Sequence, residues 1–258
     1  MKKLAIASAL FSVVAMTGTA HAYQAEIGAS AGLIDPDNGS SSGSFGVDGT
    51  YYFNPVQTRN APLAEAAFLD RASNVNAHYA YNEVGDDEVN NYGAGVEFFV
   101  PNSDFYLSGN IGRQDVEHRY GRDLDTTLYS AEVGYLPAPG FLVAAGLKGY
   151  DNDYDDGVDP TVRAKYVTQL SNGKDINLEA GASFGDLDEY NLAADYFIDK
   201  SFSVGADYYS NDLSDVNEFG VNARKFFTPQ VSLEGRVGFG EVGNNDYNKF
   251  GVAAKYRF

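Results

Sequence analysis

Segments of about ten residues, each alternating apolar with small or polar side chains and each closed by turn residues, recur along nearly the whole chain. Strands of soluble proteins run about 5 to 6 residues, so repeats of this length match instead the span with which a tilted strand crosses a bilayer. The clearest runs from Val231 to Glu241, with Val231, Leu233, Val237 and Phe239 on one face and Ser232, Glu234, Arg236 and Gly238 on the other. Phe202, Val204, Ala206 and Tyr208 alternate in the same way with Ser203, Gly205 and Asp207, and Phe105, Leu107, Gly109 and Ile111 with Tyr106, Ser108 and Asn110. One face suits lipid and the other suits water.

Such segments start near Tyr23, Gly43, Asn74, Asn90, Phe105, Thr126, Phe141, Thr161, Ile176, Glu189, Phe202, Glu218, Val231 and Tyr247. An even number puts both termini on one side and sorts the connections into two alternating sets. Pro101 to Asp104, Pro137 to Gly140, Ser171 to Asp175, Asp199 to Ser201 and Thr228 to Gln230 are short and turn-like, as expected of periplasmic turns. Glu83 to Glu88, Asp115 to Asp125, Asp151 to Asp159, Gly185 to Glu189, Asp212 to Asp215 and Gly243 to Asp246 are longer and acidic, as expected of outer loops. A sheet edge left open in hydrocarbon would strand N–H and C=O groups at several kcal/mol each, so the sheet has to close. The expected fold is all-β, a transmembrane antiparallel up-and-down β-barrel of about 14 strands. The alternative, a soluble sandwich, calls for shorter strands with polar outward faces.

Lys2 and Lys3 precede an apolar stretch that finishes on Ala20-His21-Ala22, the pattern of a secretory signal peptide. Residues 1–22 are therefore expected to be removed, leaving residues 23–258 as one barrel domain with no linker-like stretch inside it. No run approaches the roughly 20 apolar residues of a membrane-spanning helix, which excludes a helical inner-membrane protein. The chain carries a formal charge of -18 and has no cysteine. The first speaks against nucleic acid as a partner; the second rules out disulfides and thiolate metal sites. With no Trp, Tyr and Phe must supply both interfacial belts, and they cluster at Tyr51-Tyr52-Phe53, Phe98-Phe99, Tyr208-Tyr209 and Phe226-Phe227.

Alternation assigns Glu26, Asp48, Glu97, Glu132, Glu179, Asp195, Asp207, Glu218 and Glu234 to the inner face, with Lys148, Arg163, Lys165, Arg224, Arg236, Lys249, Lys255 and Arg257. So many ionised groups fit a water-filled, pore-lining role or a dense network of paired charges, and neither admits an apolar ligand pocket. The bases gather on the last three strands and at Lys148, Arg163 and Lys165, which allows a field across the lumen; the plainer reading is a solvated or paired wall. Acidic loops at the mouth favour cations over the Debye length of about 8 to 10 Å.

Two stretches stand out. Asp151-Asn152-Asp153-Tyr154-Asp155-Asp156-Gly157 has oxygen ligands at alternate positions like a calcium loop, yet Val162 stands where the closing Glu belongs and no helices flank it, so an ordinary loop is the simpler expectation. Leu63 to Ala72 holds helix formers in the longest connection, Asn54 to Ser73; it either folds back to narrow the periplasmic mouth or covers the rim. Catalysis is not expected. Beyond the signal peptide only His78 and His118 remain, His78 among the inward Asn74, Asn76 and Asn82, and no G-x-S-x-G places a serine nucleophile.

The chain closes on Ala253-Ala254-Lys255-Tyr256-Arg257-Phe258, which looks like the assembly signal of bacterial outer-membrane barrels, with Tyr256 and Phe258 on one face. That resemblance implies the barrel assembly machinery as a partner. A GTYYF segment before NPVQTRNAPLAEAAFLDRAS, together with the leader, the acidic loops and the closing YRF, resembles the general bacterial porin family of Acinetobacter and its relatives. The resemblance implies a single-chain barrel in the outer membrane of a Gram-negative cell, set in lipid and lipopolysaccharide and passing small polar solutes and ions passively without a cofactor. A narrow monomeric pore is expected from the strand number. A substrate-specific channel and a non-conducting, surface-binding or adhesin barrel are the alternatives.

Overall fold

The computed structural model of the chain describes residues 22–84, 87–118, 122–185, 188–212 and 215–258. The expected signal peptide lies outside them but for Ala22, as do residues 85–86, 119–121, 186–187 and 213–214 within the expected acidic loops. Fourteen strands follow in order: β1 (Ala22–Pro36), β2 (Ser42–Gln57), β3 (Asn74–Val84), β4 (Asp87–Phe99), β5 (Phe105–Glu117), β6 (Leu124–Ala138), β7 (Phe141–Asn152), β8 (Asp156–Gln169), β9 (Asp175–Ser183), β10 (Glu189–Asp199), β11 (Phe202–Asn211), β12 (Val216–Phe226), β13 (Val231–Val242) and β14 (Asn245–Arg257). Each pairs antiparallel with the next, and β14 returns to β1 from Glu26↔Arg257 to Pro36↔Tyr247, so the sheet is a closed barrel without a free edge.

The alternation holds around the wall. Ile111 on the outer face is 62% exposed, whereas Tyr106, five positions away and on the inner face, is 1% exposed. Exposed Val, Leu, Ile, Phe and Tyr side chains cover the outside, including Leu33, Val133, Leu147, Leu192, Phe239 and Val252.

Two expectations about the strands need correction. The acidic connections are mostly not loops: the ladder runs on through Asp115↔Asp125, Glu88↔Glu117 and Asp151↔Asp156, and β8 begins at Asp156, ahead of the expected Thr161. Backbone pairing does not depend on side-chain polarity, so beyond the hydrocarbon the sheet continues with acids on both faces. The connection at Gly243 is a two-residue turn between Val242 and Asn245, with Gly243 at φ 59, the left-handed region a primed hairpin turn needs at its first central residue. The aromatic doublets likewise split. Tyr51, Phe98 and Phe227 are exposed in the belts, while Tyr52, Phe99 and Phe226 are buried on the inner side, because adjacent strand residues cannot face the same way.

The short-turn end is tightly built. Gly140, at φ 72 between β6 and β7, accepts a hydrogen bond from Val167 N–H (2.8 Å), and a β-carbon there would overlap the Val167 carbonyl and approach Leu69 to 3.3 Å. Gly140→Ala is expected to cost roughly 1–3 kcal/mol through strain at positive φ and this overlap. Urea unfolding of protein refolded into vesicles reads it; an unmoved midpoint would show that the turn relaxes freely.

Candidate functional site

The connection between β2 and β3 reaches into the barrel mouth. It does not close as a hairpin: a 3-10 turn at Leu63–Glu65 leads into a single helical turn, α1 (Ala66–Leu69), too short to be the amphipathic helix its composition suggests. A register shift between Tyr23 and Ala25 turns Tyr23 inward, where it packs with Tyr52, Val56, Ala66 and Ala72. Phe68 packs on a second cluster of Phe99, Tyr106, Leu136 and Leu142. Both clusters sit at the end that carries the turns and the termini.

From that seat the segment reaches the far wall. Leu63 N–H donates to the carbonyl of Lys200 in the β10–β11 turn (2.8 Å), and Arg257 Nη1 on β14 donates to the Leu63 carbonyl (2.7 Å). Glu65, 6% exposed, pairs with Lys165 on β8 (2.8 Å), whose ammonium lies 5.1 Å from the Phe68 ring centre. In a ring of fourteen strands β8 to β10 lie opposite β2, so contacts to both sides mean that the segment is a strap across the mouth. The stretch thus folds back over the opening.

Above the strap the inner wall carries charge in pairs. Every base expected there has a carboxylate within 3.5 Å. Lys148 meets Glu189 (3.0 Å), Arg163 meets Glu132 (2.8 Å), Lys165 meets Glu179 (2.6 Å) and Arg224 meets Glu234 (2.5 Å). Arg236 is held between Asp207 and Glu218, with Glu218 also taking Lys249 (3.5 Å) and Tyr247 Oη (2.7 Å). Lys255 bridges Glu26 (3.2 Å) and Asp48 (3.3 Å). The Arg257 guanidinium pairs with Glu26 and lies 4.6 Å from the ring centres of both Tyr23 and Phe226. Contacts that skip strands, such as β7 to β10 and β11 to β13, form on the concave side of a barrel, where side chains converge.

Two expected acids are met by neutral donors instead: Glu97 by Tyr106 Oη (2.7 Å) and Asn74 (2.9 Å), and Asp195 by Asn177 (3.1 Å). Sequence reasoning missed Glu65, Glu189, Asp159 and Asp175. Parity from Asp195 and Glu179 would have found Glu189 and Asp175; Asp159, 2% exposed, was hidden because β8 starts earlier than expected. Nothing in the alternation could have brought Glu65 inward.

Tyr256 and Phe258 stack on each other (5.9 Å, 26°), and the Phe258 carbonyl accepts from Gln24 and Ala25 N–H, locking the last strand to the first. His118 Nδ1 contacts Asp87 Oδ2 (2.8 Å) near the acidic rim. The calcium-like stretch is a closed turn in which Asn152 Oδ1 accepts from Tyr154 and Asp155 N–H (2.9 and 3.0 Å). Among the described residues no group of three or more His, Asp or Glu could hold a metal ion.

The sequence pattern of the family described as "Putative general bacterial porin" matches residues 1–152 and 145–258. The chain belongs to that family. The porin is similar to the outer membrane protein Omp33 of Acinetobacter baumannii, at 28% identity and a TM-score of 0.69, over 92% of this chain and 99% of that one. A deletion mutant of the monoaromatic hydrocarbon channel TodX shares the fold alone, at 7% identity and a TM-score of 0.57 over 93% and 91% of the two chains. Comparison with curated proteins gave no match. Membership makes this an outer-membrane porin of a Gram-negative cell, a transport protein and not a catalyst, set in a membrane containing lipopolysaccharide and built by the barrel assembly machinery.

Proposed function

We propose that the porin is a narrow, monomeric diffusion channel for small polar solutes and ions with a mild cation preference, restricted at its periplasmic mouth by the strap. The observation that carries this reading is the composition of the inner wall: every base is quenched, while Glu97 and Asp195 are left to neutral donors. Opposed acids at the other rim, Glu88 with Glu117 and Asp151 with Asp156, add to the negative potential there. In this reading the residues from Glu26 to Arg257 named above line the pore, Tyr256 and Phe258 serve as the assembly signal, and residues 1–22 are an export signal.

Refolded protein without residues 1–22, in a planar bilayer under a salt gradient, should show discrete ohmic steps and a reversal potential on the cation side. The potential should shrink as ionic strength rises, because exposed acids are screened. Anion selectivity would overturn the preference, and the absence of steps even after strap removal would overturn the channel reading in favour of a surface-binding barrel.

A further inference from the structure

Several inward glycines of this barrel lie under polar side chains from the neighbouring strand. Gly28 pairs with Asp48, Gly95 with Asn110 and Gly181 with Asn191, and the Arg236 guanidinium lies across Gly220. At all four, the atoms a β-carbon would meet most closely are side-chain atoms only, inside van der Waals contact. Gly251, also inward, has by contrast nothing within 4 Å. The four sites fall at the β1/β2, β4/β5, β9/β10 and β12/β13 junctions, spread around the wall.

Facing β-carbons on paired strands stand about 4.5–5.5 Å apart, which obliges two inward side chains to rise side by side toward the barrel axis. Where one partner is glycine, the other can fold down into the space. We infer that Gly28, Gly95, Gly181 and Gly220 set the bore and the wall potential of the open channel, each by letting the polar side chain beside it lie flat. Flat Asp48 reaches Lys255, and flat Arg236 reaches Asp207 and Glu218, so the same glycines keep those charges paired. This rests on the porin reading for its functional consequence, but the side-chain posture can be tested without it.

The flexible tips can swing away, so alanine at these positions is accommodated by lifting the neighbour into the lumen. With the strap replaced by a tight turn, Gly95→Ala and Gly181→Ala should lower single-channel conductance and leave the reversal potential unchanged. Gly28→Ala should move it toward cations and Gly220→Ala toward anions. Gly251→Ala should behave as the parent, and Asn110→Gly should restore the conductance lost in Gly95→Ala. If Gly95→Ala and Gly181→Ala conduct like Gly251→Ala, the inference fails. Because the chain has no cysteine, a thiol at Asn110→Cys can be labelled with a water-soluble thiosulfonate in folded, non-conducting protein as well. Labelling should be faster with Gly95→Ala than with Gly95. Equal rates would overturn the inference whatever the conductance shows, whereas a silent parent with unequal rates would count only against the porin reading.

Discussion

Replacing residues 54–72 by an Asn-Gly turn is expected to raise single-channel conductance several-fold. Phe53 N–H already donates to the Ser73 carbonyl (2.9 Å), so the two ends are in hairpin register and a two-residue primed turn can join them, at the cost of the last residues of β2, Asn54 to Gln57, and their pairing with Ala22 and Tyr23. What is lost besides is the strap, with its contacts to Lys200 and Lys165 on the far wall and to Arg257 on β14. The segment is held by two hydrogen bonds at Leu63, the ion pairs Glu65–Lys165 and Arg71–Asp104, and the packing of a few apolar side chains including Ala66 and Phe68, and so opens at a cost below global unfolding. The intact porin should therefore flicker between low and high conductance, and the replaced one should stay high. Glu65→Lys tests the same point with the chain length unchanged, since it sets two ammonium groups against each other where a buried pair stood. If both variants conduct like the intact protein, the strap covers the rim without restricting the path.

Glu26→Ala should be the most destabilising single change in the wall. Glu26 and Arg257 are each about 7% exposed, and the pair fastens the first strand to the last. Removing one partner leaves the Arg257 guanidinium buried between Tyr23 and Phe226 without its carboxylate, a loss on the order of 3–5 kcal/mol. Glu26 is the informative partner to change, because altering Arg257 would also disturb the terminal Tyr256 and Phe258. The readout is the denaturant midpoint of the refolded barrel, with the heat-induced gel shift as a check on closure. Adding Arg257→Met to Glu26→Leu should recover much of the loss, since replacing both buried charges by apolar groups is often close to neutral. A single variant as stable as the parent would mean that water reaches Arg257 and the seam does not depend on this pair.

The strands from Phe105, Val231 and Phe202 were legible because a lipid-facing wall makes alternation nearly compulsory: a polar group outward or an apolar run inward each carries a direct solvation cost. The inner-face residues followed from the same parity, down to Glu26 on one terminus and Arg257 on the other. Partnership was not legible. Lys148, in register with Asp159, bonds Glu189 three strands on, because long side chains in a closed barrel reach diagonally over the concave wall. Acidic stretches such as Asp151 to Asp159 misled for the opposite reason, since their composition imitates loops while their backbones continue the ladder.

Sequence by itself determined that this chain crosses the outer membrane as fourteen closed strands, because period-two alternation over membrane-length segments has one solution in lipid. Only the tertiary structure decided that the charges of the inner face pair with one another and that residues 58–73 cross the mouth. Both depend on which side chains and backbone groups meet across the lumen, between residues such as Leu63 and Lys200 or Glu65 and Lys165, and no local pattern encodes a contact between opposite walls.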